Sequence, residues 1–295
     1  AFGTMQFDGR ADAAQSRAMF DACRTAGLNH FDTAHVYTDG QAEALLGQFA
    51  RGRREDLLIA TKAGYIGGAG PENLQAQFDE SRRRLGMEMV DILYLHRFDA
   101  GTPLEVTLSW FQQQKRAGNF RYLGLSNFAA WQVMKAAMAG APLGLRVDVL
   151  QPMYSLVKRQ AEVEILPMCA SEGILAATYS PLGAGTLTGK YAGAGKGRLT
   201  EDARYRARYG HSWMDEAGGK LAGIAADLGL HPATLAVAWA AAHPARPSPI
   251  ISARSPEQLA PSLAALDCAM EPALYARLAA LTPTPPPADD RLEEA

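Results

Sequence analysis

The sequence predicts an α/β protein, a single-domain (β/α)8 (TIM) barrel over residues 1–282. Three observations carry that prediction. Eight apolar-rich segments are spaced along the chain: AFGTM, HFDTA, LLIATK, VDILYLH, YLGLSN, VDVLQP, ILAATYS and SPIIS. Amphipathic helical segments separate most of them, the alternation that builds a parallel sheet covered on both faces. Polar or ionisable residues end three successive segments, as at the carboxyl face of a barrel, where its chemistry resides. The competing open doubly wound sheet calls for a Gly-x-Gly-x-x-Gly turn after its first strand. Here the chain reads GTMQFDGRA, without that spacing.

The helices follow in order. ADAAQSRAMFDACRTAG sets Ala14, Ala18, Phe20, Ala22 and Cys23 broadly on one side and stops at Gly27. Residues 41–49 repeat apolar positions at three and four. NLQAQFDESRRRLG is expected to start on an Asn73 cap and end at Gly86. PLEVTLSWFQQQKRAG opens on Pro103, a first-turn proline, and ends on Gly118. Residues 131–138, 161–172 and 256–266 continue the alternation. Two segments break it. Residues 183–219 form a long Gly- and Arg-rich stretch after the seventh strand, expected to be a loop that orders over a cofactor. Residues 283–295 (PTPPPADDRLEEA) are expected to be an extended acidic tail.

Composition narrows the function classes. The chain has 295 residues, 48% of them hydrophobic, enough for a large core, and a net charge of −2. That balance implies no strong pull toward nucleic acid or an acidic membrane. No apolar stretch approaches the ~20 residues of a membrane helix. No signal peptide is visible, and the abrupt first strand suggests a missing short leader. Cys23, Cys169 and Cys268 make no CxxC spacing or disulfide framework, so a cytoplasmic location is expected. The six histidines are scattered, and no metal is expected.

The chemistry-bearing residues are Asp32, Tyr37, Lys62 and His96. A phenol has a reference pKa near ~10, and a neighbouring ammonium lowers it. Lys62 can supply that charge, Asp32 can hold Lys62 charged, and His96 can hydrogen-bond a substrate oxygen. A phenol so tuned suits protonation of the alkoxide that forms when hydride adds to a carbonyl carbon. Singly, each has a bland explanation: a surface lysine, a turn-capping aspartate, a half-buried loop tyrosine, a core histidine. Their shared placement argues against coincidence. A Schiff-base lyase using Lys62 is the rival chemistry, but it needs a desolvated, uncharged amine.

The same segments resemble the aldo-keto reductases along essentially the whole chain. The likeness lies in Gly3–Thr4, Asp32–Thr33–Ala34 with Tyr37, Glu43 and Leu46–Gly47, Lys62, and Asp91 with Leu95–His96. It implies NADPH-dependent reduction of aldehydes or ketones, with Tyr37 as general acid, Asp32 and Lys62 tuning it, and His96 orienting the carbonyl. It further implies Ser126, Asn127 and Gln151 on the nicotinamide carboxamide and Tyr179 stacked on the ring. Ser180, Leu182, Gly183 and Lys190 would line the pyrophosphate path, and Ser252, Arg254, Ser255 and Gln258 the adenosine phosphate. Many relatives carry Lys-Ser and acidic-Asn elements where this chain has Ser252–Ala253 and Pro261–Ser262, which leaves NADH possible. The alternative is a non-catalytic or redox-sensing NADP(H)-binding subunit resembling potassium-channel β-subunits. An aromatic substrate wall is expected from Phe2, Met5, His35, Tyr65, Phe98, Phe128, Met153, Tyr205, Tyr209 and Trp213. Arg204, Arg206 and Arg208 either favour an anionic group or simply solvate their segment.

Overall fold

Among the described residues, seven short strands pair in chain order, all parallel: β1 (Phe2–Gly3), β2 (His30–Asp32), β3 (Leu58–Ala63), β4 (Val90–Leu95), β5 (Phe120–Ser126), β6 (Val149–Gln151) and β7 (Leu175–Ala176). The computed structural model describes residues 1–193, 195 and 197–289. β4 is buried throughout and β3 nearly so, as unbroken apolar runs require in a parallel sheet. The register sets Asp32 beside Gly3 and Ala60, Lys62 beside Tyr94, and Ser126 beside Gln151.

The ladder contains seven strands, where the sequence suggests eight. The seventh segment forms two ladder residues, after which Tyr179 makes single bridges to Met153 and Ile250. The eighth segment is reduced to that bridge, with Ile250 donating to the Thr178 carbonyl at 2.7 Å and Thr178 to that of Ser248 at 3.0 Å. An apolar run marks burial, not the length of a hydrogen-bonded ladder.

The chain forms two compact units. The first takes Ala1–Pro152, Ser171–Ala177 and Ser252–Leu259, and holds the whole ladder. Its helices are α1 (Ala13–Thr25), α2 (Gln41–Ala50), α3 (Pro71–Leu85), α4 (Leu104–Arg116) and α5 (Ala130–Gly140). Asp12 and Gln15 form a capping box at the start of α1. α3 starts earlier than its Asn73 suggests, with Gly70 as cap and Pro71 in the first turn. Asn73 instead donates back to the carbonyls of Ile66 and Gly68. Pro103 precedes α4 as its cap residue and is not in its first turn. Phe2 is fully buried against Phe7 and Phe31, with Phe20 and Phe49 completing the cluster, so it cannot wall a substrate site. A β-carbon on Gly124 would overlap the ring of Tyr94, and one on Gly47 would overlap the Leu85 backbone.

The second unit takes Met153–Ala170, Thr178–Ile251 and the described chain from Ala260 onward. The helix α6 (Ile165–Glu172) leads back into β7. Residues 183–219, expected to be a loop, are mostly helical instead. Tight turns over Gly183–Thr188 and Lys190–Gly193 precede α7 (Arg198–Glu201), α8 (Ala203–Tyr209) and α9 (Ser212–Asp227). Asp202 caps α8 through the Arg204 amide, a local signal that outweighs the glycine content. There follow α10 (Pro232–Ala241), α11 (Pro256–Leu263), whose first half belongs to the first unit, and α12 (Pro272–Ala279). Trp239 of α10 is sandwiched between Tyr154 and Tyr275, at 5.4 and 5.5 Å. Among the described residues no single helix is long and apolar enough to cross a membrane. The bent pair α9–α10 passes such a test jointly, but Ala233–Ala240 are all buried, as in a core helix. Of the expected tail, residues 283–289 form no helix or strand, and 290–295 lie outside the described residues.

Candidate active site

The four residues singled out in the sequence meet at the carboxyl ends of β2, β3 and β4. Asp32 closes β2, Tyr37 opens the turn that follows it, Lys62 lies near the end of β3, and His96 comes directly after β4. Lys62 is fully buried. Its ammonium pairs with Asp32 Oδ1 and donates to the Thr33 carbonyl at 2.8 Å. The same nitrogen lies 5.2 Å from the Tyr37 ring centroid and 5.5 Å from that of Tyr94. The Tyr37 and His96 rings stand edge to face, 6.1 Å apart at 82°.

Burial pushes the Lys62 ammonium below its ordinary pKa, and Asp32 pulls the other way. The ion pair with Asp32 favours the charged amine, and it is this pairing that counts against the Schiff-base reading. Burial, then the charges of Lys62 and Arg97, hold His96 at about 3. Its imidazole is neutral at pH 7, with one N–H to donate. Its Nδ1 is buried and lacks a hydrogen-bond partner among the described residues. A polar atom in that state fits a site that receives a polar ligand.

Ser126, Asn127 and Gln151 are also brought together. Ser126 Oγ donates to the Gln151 carbonyl at 3.2 Å, and Asn127 Nδ2 to the His96 carbonyl at 3.0 Å and Ser126 Oγ at 3.1 Å. Asn127 has a left-handed φ of 57° that turns its side chain back over the strand ends. Gln151 carries a contact the sequence did not reveal: its Nε2 donates to Asp32 Oδ2 at 2.9 Å. The residues are 119 apart in the chain, and only the sheet makes them neighbours. Thus both oxygens of Asp32 are engaged, one by Lys62 and one by Gln151.

In the second unit Tyr179 is fixed by its two bridges, and Ser180 has φ 62°. Gly183, Ala184 and Gly185 follow with φ of 53°, 56° and 95°. Such runs turn backbone N–H groups into concave anion sites. A β-carbon on Gly197 would come within 2.6 Å of the Lys190 ammonium, and one on Gly185 within 2.7 Å. Glycine is what lets the lysine lie in this cradle. A cation among backbone donors is the donor set a pyrophosphate requires, so these residues fit a dinucleotide cofactor. Among the residues expected at an adenosine end, which belong to the first unit, Gln258 Oε1 accepts from the Arg254 backbone amide and the Gln258 backbone amide donates to Ser255 Oγ, both at 3.4 Å. Ser252 Oγ is buried and lacks a hydrogen-bond partner among the described residues.

Of the expected substrate wall, the Tyr65 ring lies tilted 4.8 Å from that of His96, and Phe98 meets Phe128 at 5.4 Å. Trp131, which the sequence marks only as a helix residue, joins them 6.0 Å from Phe98. Tyr209 does not belong to a wall: it is fully buried, its hydroxyl against Met153 Sδ at 3.2 Å. Burial raises the Cys23 and Cys169 thiols to about 12, which makes them inert.

Parallel strands presenting a buried Lys–Asp pair, a tyrosine and a neutral histidine define a class of carbonyl oxidoreductase. The chain belongs to the aldo/keto reductase family, whose model matches residues 1–282. It is 36% identical to a protein of Oryza sativa subsp. japonica named probable voltage-gated potassium channel subunit beta, over 88% of this chain and 84% of that one. It is 38% identical to aflatoxin B1 aldehyde reductase member 2 of Rattus norvegicus, over 72% of this chain and 59% of that one. An uncharacterized oxidoreductase of Bacillus subtilis is 30% identical over 96% of this chain and 91% of its own length. The chain is accordingly an NAD(P)H-dependent oxidoreductase acting on small-molecule carbonyl groups.

Proposed function

We propose that this protein reduces an aldehyde or ketone of moderate size with NADPH, using Tyr37 as the proton donor. The observation that carries the reading is the buried Lys62–Asp32 pair set against the Tyr37 ring. When bound, NADPH supplies the hydride that adds to the carbonyl carbon. His96 donates a hydrogen bond to the carbonyl oxygen and holds it toward Tyr37. The Tyr37 hydroxyl gives its proton to that oxygen as negative charge grows there. Lys62 stabilises the resulting phenolate through a low-dielectric gap, and solvent returns the proton after the alcohol leaves. Gln151 and Lys62 together hold Asp32, so the cation stays oriented.

For the cofactor we assign Ser126, Asn127 and Gln151 to the carboxamide and Tyr179 to the ring face. Ser180, Leu182, Gly183 and Lys190 take the pyrophosphate, and Ser252, Arg254 and Gln258 the adenosine end. Family membership supports an eight-stranded (β/α)8 barrel domain over residues 1–282. A reducing cytoplasm suits its free thiols, Cys23 and Cys169 buried and Cys268 half-buried. A second reading, a non-catalytic NADP(H)-binding subunit, is favoured by the 36% match to the rice protein. The complete tetrad speaks for catalysis.

Tyr37→Phe tests the assignment. The ring and its packing remain, NADPH binding is expected to hold, and turnover of an accepted aldehyde is expected to fall about 10²–10⁴-fold. Wild-type turnover in the variant would sink the mechanism. Absence of turnover by the unmodified protein across a carbonyl panel would favour the second reading. Arg254→Ala tests cofactor choice: NADPH affinity is expected to drop by about 1–3 kcal/mol while NADH affinity holds. An equal loss for both would remove Arg254 from the 2′-phosphate.

A further inference from the structure

We propose that Arg84 and Glu43 are positioning residues for the Tyr37 acid, a role that rests on Tyr37 being the proton donor. Their ion pair clamps the turn carrying Tyr37 to the strand carrying Lys62. Neither residue touches the proposed reacting atoms, and Arg84 belongs to no motif in the sequence.

The turn needs an outside grip. Thr38 and Asp39, directly after Tyr37, have φ of 45° and 50°, a left-handed conformation that a β-carbon disfavours. Gly40 follows at φ 92°, and a β-carbon there would overlap the Arg84 guanidinium. The glycine thus admits the arginine as well as the turn.

Arg84, near the end of α3, reaches this turn from behind. Its Nη1 donates to the His35 carbonyl at 3.0 Å and to Glu43 Oε2 at 3.3 Å. The same nitrogen lies 3.4 Å from His35 Nδ1, and Nε is held by Glu80 Oε1 at 2.9 Å. Burial, then the Arg84 charge, keeps His35 below its ordinary pKa, so its ring is neutral beside the guanidinium. The His35 amide donates to the Lys62 carbonyl at 3.1 Å. The peptide two residues before Tyr37 is therefore gripped from both sides.

Glu43 closes the network. It is fully buried, and its Oε1 accepts from Thr61 Oγ1 at 2.6 Å. Thr61 is the neighbour of Lys62 in β3. One carboxylate thus joins the arginine that holds the Tyr37 turn to the strand that carries the tuning lysine. A buried ion pair contributes little net stability and is a better device for fixing one geometry. What it fixes here is the separation of phenol and ammonium.

The test uses the full chain with NADPH and one accepted aldehyde, in Arg84→Met, Arg84→Lys, Glu43→Gln and Tyr37→Phe. For each variant, kcat, NADPH affinity, thermal midpoint and the solvent deuterium isotope effect on kcat are measured. Arg84→Met is expected to lose about 10²-fold in kcat, the scale of an ångström-sized misplacement, with NADPH affinity unchanged. Its solvent isotope effect should rise, because delivery of the proton becomes the slow step. Arg84→Lys should recover part of the loss. Adding Arg84→Met to Tyr37→Phe should cost nothing further. If Arg84→Met does not fold, Glu43→Gln, which keeps the shape and the Thr61 contact, carries the same comparison. Wild-type kcat in folded variants, alongside an inactive Tyr37→Phe, overturns the clamp alone. A loss that scales with the folded fraction and leaves the isotope effect unchanged shows mere structural support and also overturns it. A fully active Tyr37→Phe overturns the reading beneath.

Discussion

The carboxyl ends of β2–β4 and the glycines around Lys190 hold their charged side chains by opposite means. At the strand ends, buried charged side chains are held by other side chains: Lys62 by Asp32, Asp32 by Gln151, Glu43 by Arg84. In the glycine-rich stretch, the backbone does the holding, with three consecutive residues at positive φ and a lysine laid across glycines. Proton transfer needs a group whose pKa is set by its surroundings, so it needs buried charge. A pyrophosphate is a fixed anion, so it needs only donors and a cation at the right places. Substitutions at the strand ends should therefore disturb chemistry and stability together. Substitutions in the glycine stretch should disturb affinity first.

The largest effect is expected from Lys62→Met. It leaves the Asp32 carboxylate buried without its cation, which should cost about 3–5 kcal/mol of stability. In the fraction that folds, the catalytic losses from Lys62→Met and Tyr37→Phe should be strongly non-additive, because both remove one acid. Denaturant titration and turnover of the single and double variants check both statements. Additive rate losses would break the link between Lys62 and the phenol.

A smaller effect concerns acid. Burial lowers His30, beneath the same strand end, to about 4, against an ordinary value near 6.5. Between those values the unfolded chain binds the proton and the folded one does not, so stability falls as pH falls from 6.5 toward 4. The slope is at most about 1.4 kcal/mol per pH unit for one histidine. His96, held at about 3, adds to the same window and extends it downward. His30→Asn should flatten the fall without changing its sign. An unchanged slope would show that His30 is not buried neutral.

The smallest effect is expected from Gly185→Ala. Its β-carbon meets φ 95° and the Lys190 side chain, at a cost of about 1–2 kcal/mol. NADPH affinity should weaken while kcat at saturating cofactor holds. A fall in kcat with unchanged affinity would contradict the division between the two regions.

The strand ends were legible in the sequence because a strand that ends on an acid, an amine or an imidazole breaks a local apolar pattern. Asp32, Lys62 and His96 stand out within segments of a few residues, and Tyr37 stands five residues from Asp32. Local helix-start signals were less plain: Asn73 does not cap α3, Pro103 precedes α4 instead of opening its first turn, and the Asp12–Gln15 capping box emerged only in the structure. What the tertiary structure alone decided is which side chains hold those residues. Gln151 reaches Asp32 across 119 residues, and Arg84 reaches His35 across 49. Residue types at such separations carry no mark of their partner, because strand register and the placing of a helix end decide who meets whom. Burial at Phe2 and Tyr209 was hidden for the same reason. An aromatic in a strand or helix looks alike whether it faces the core or a binding wall, and only packing assigns its side.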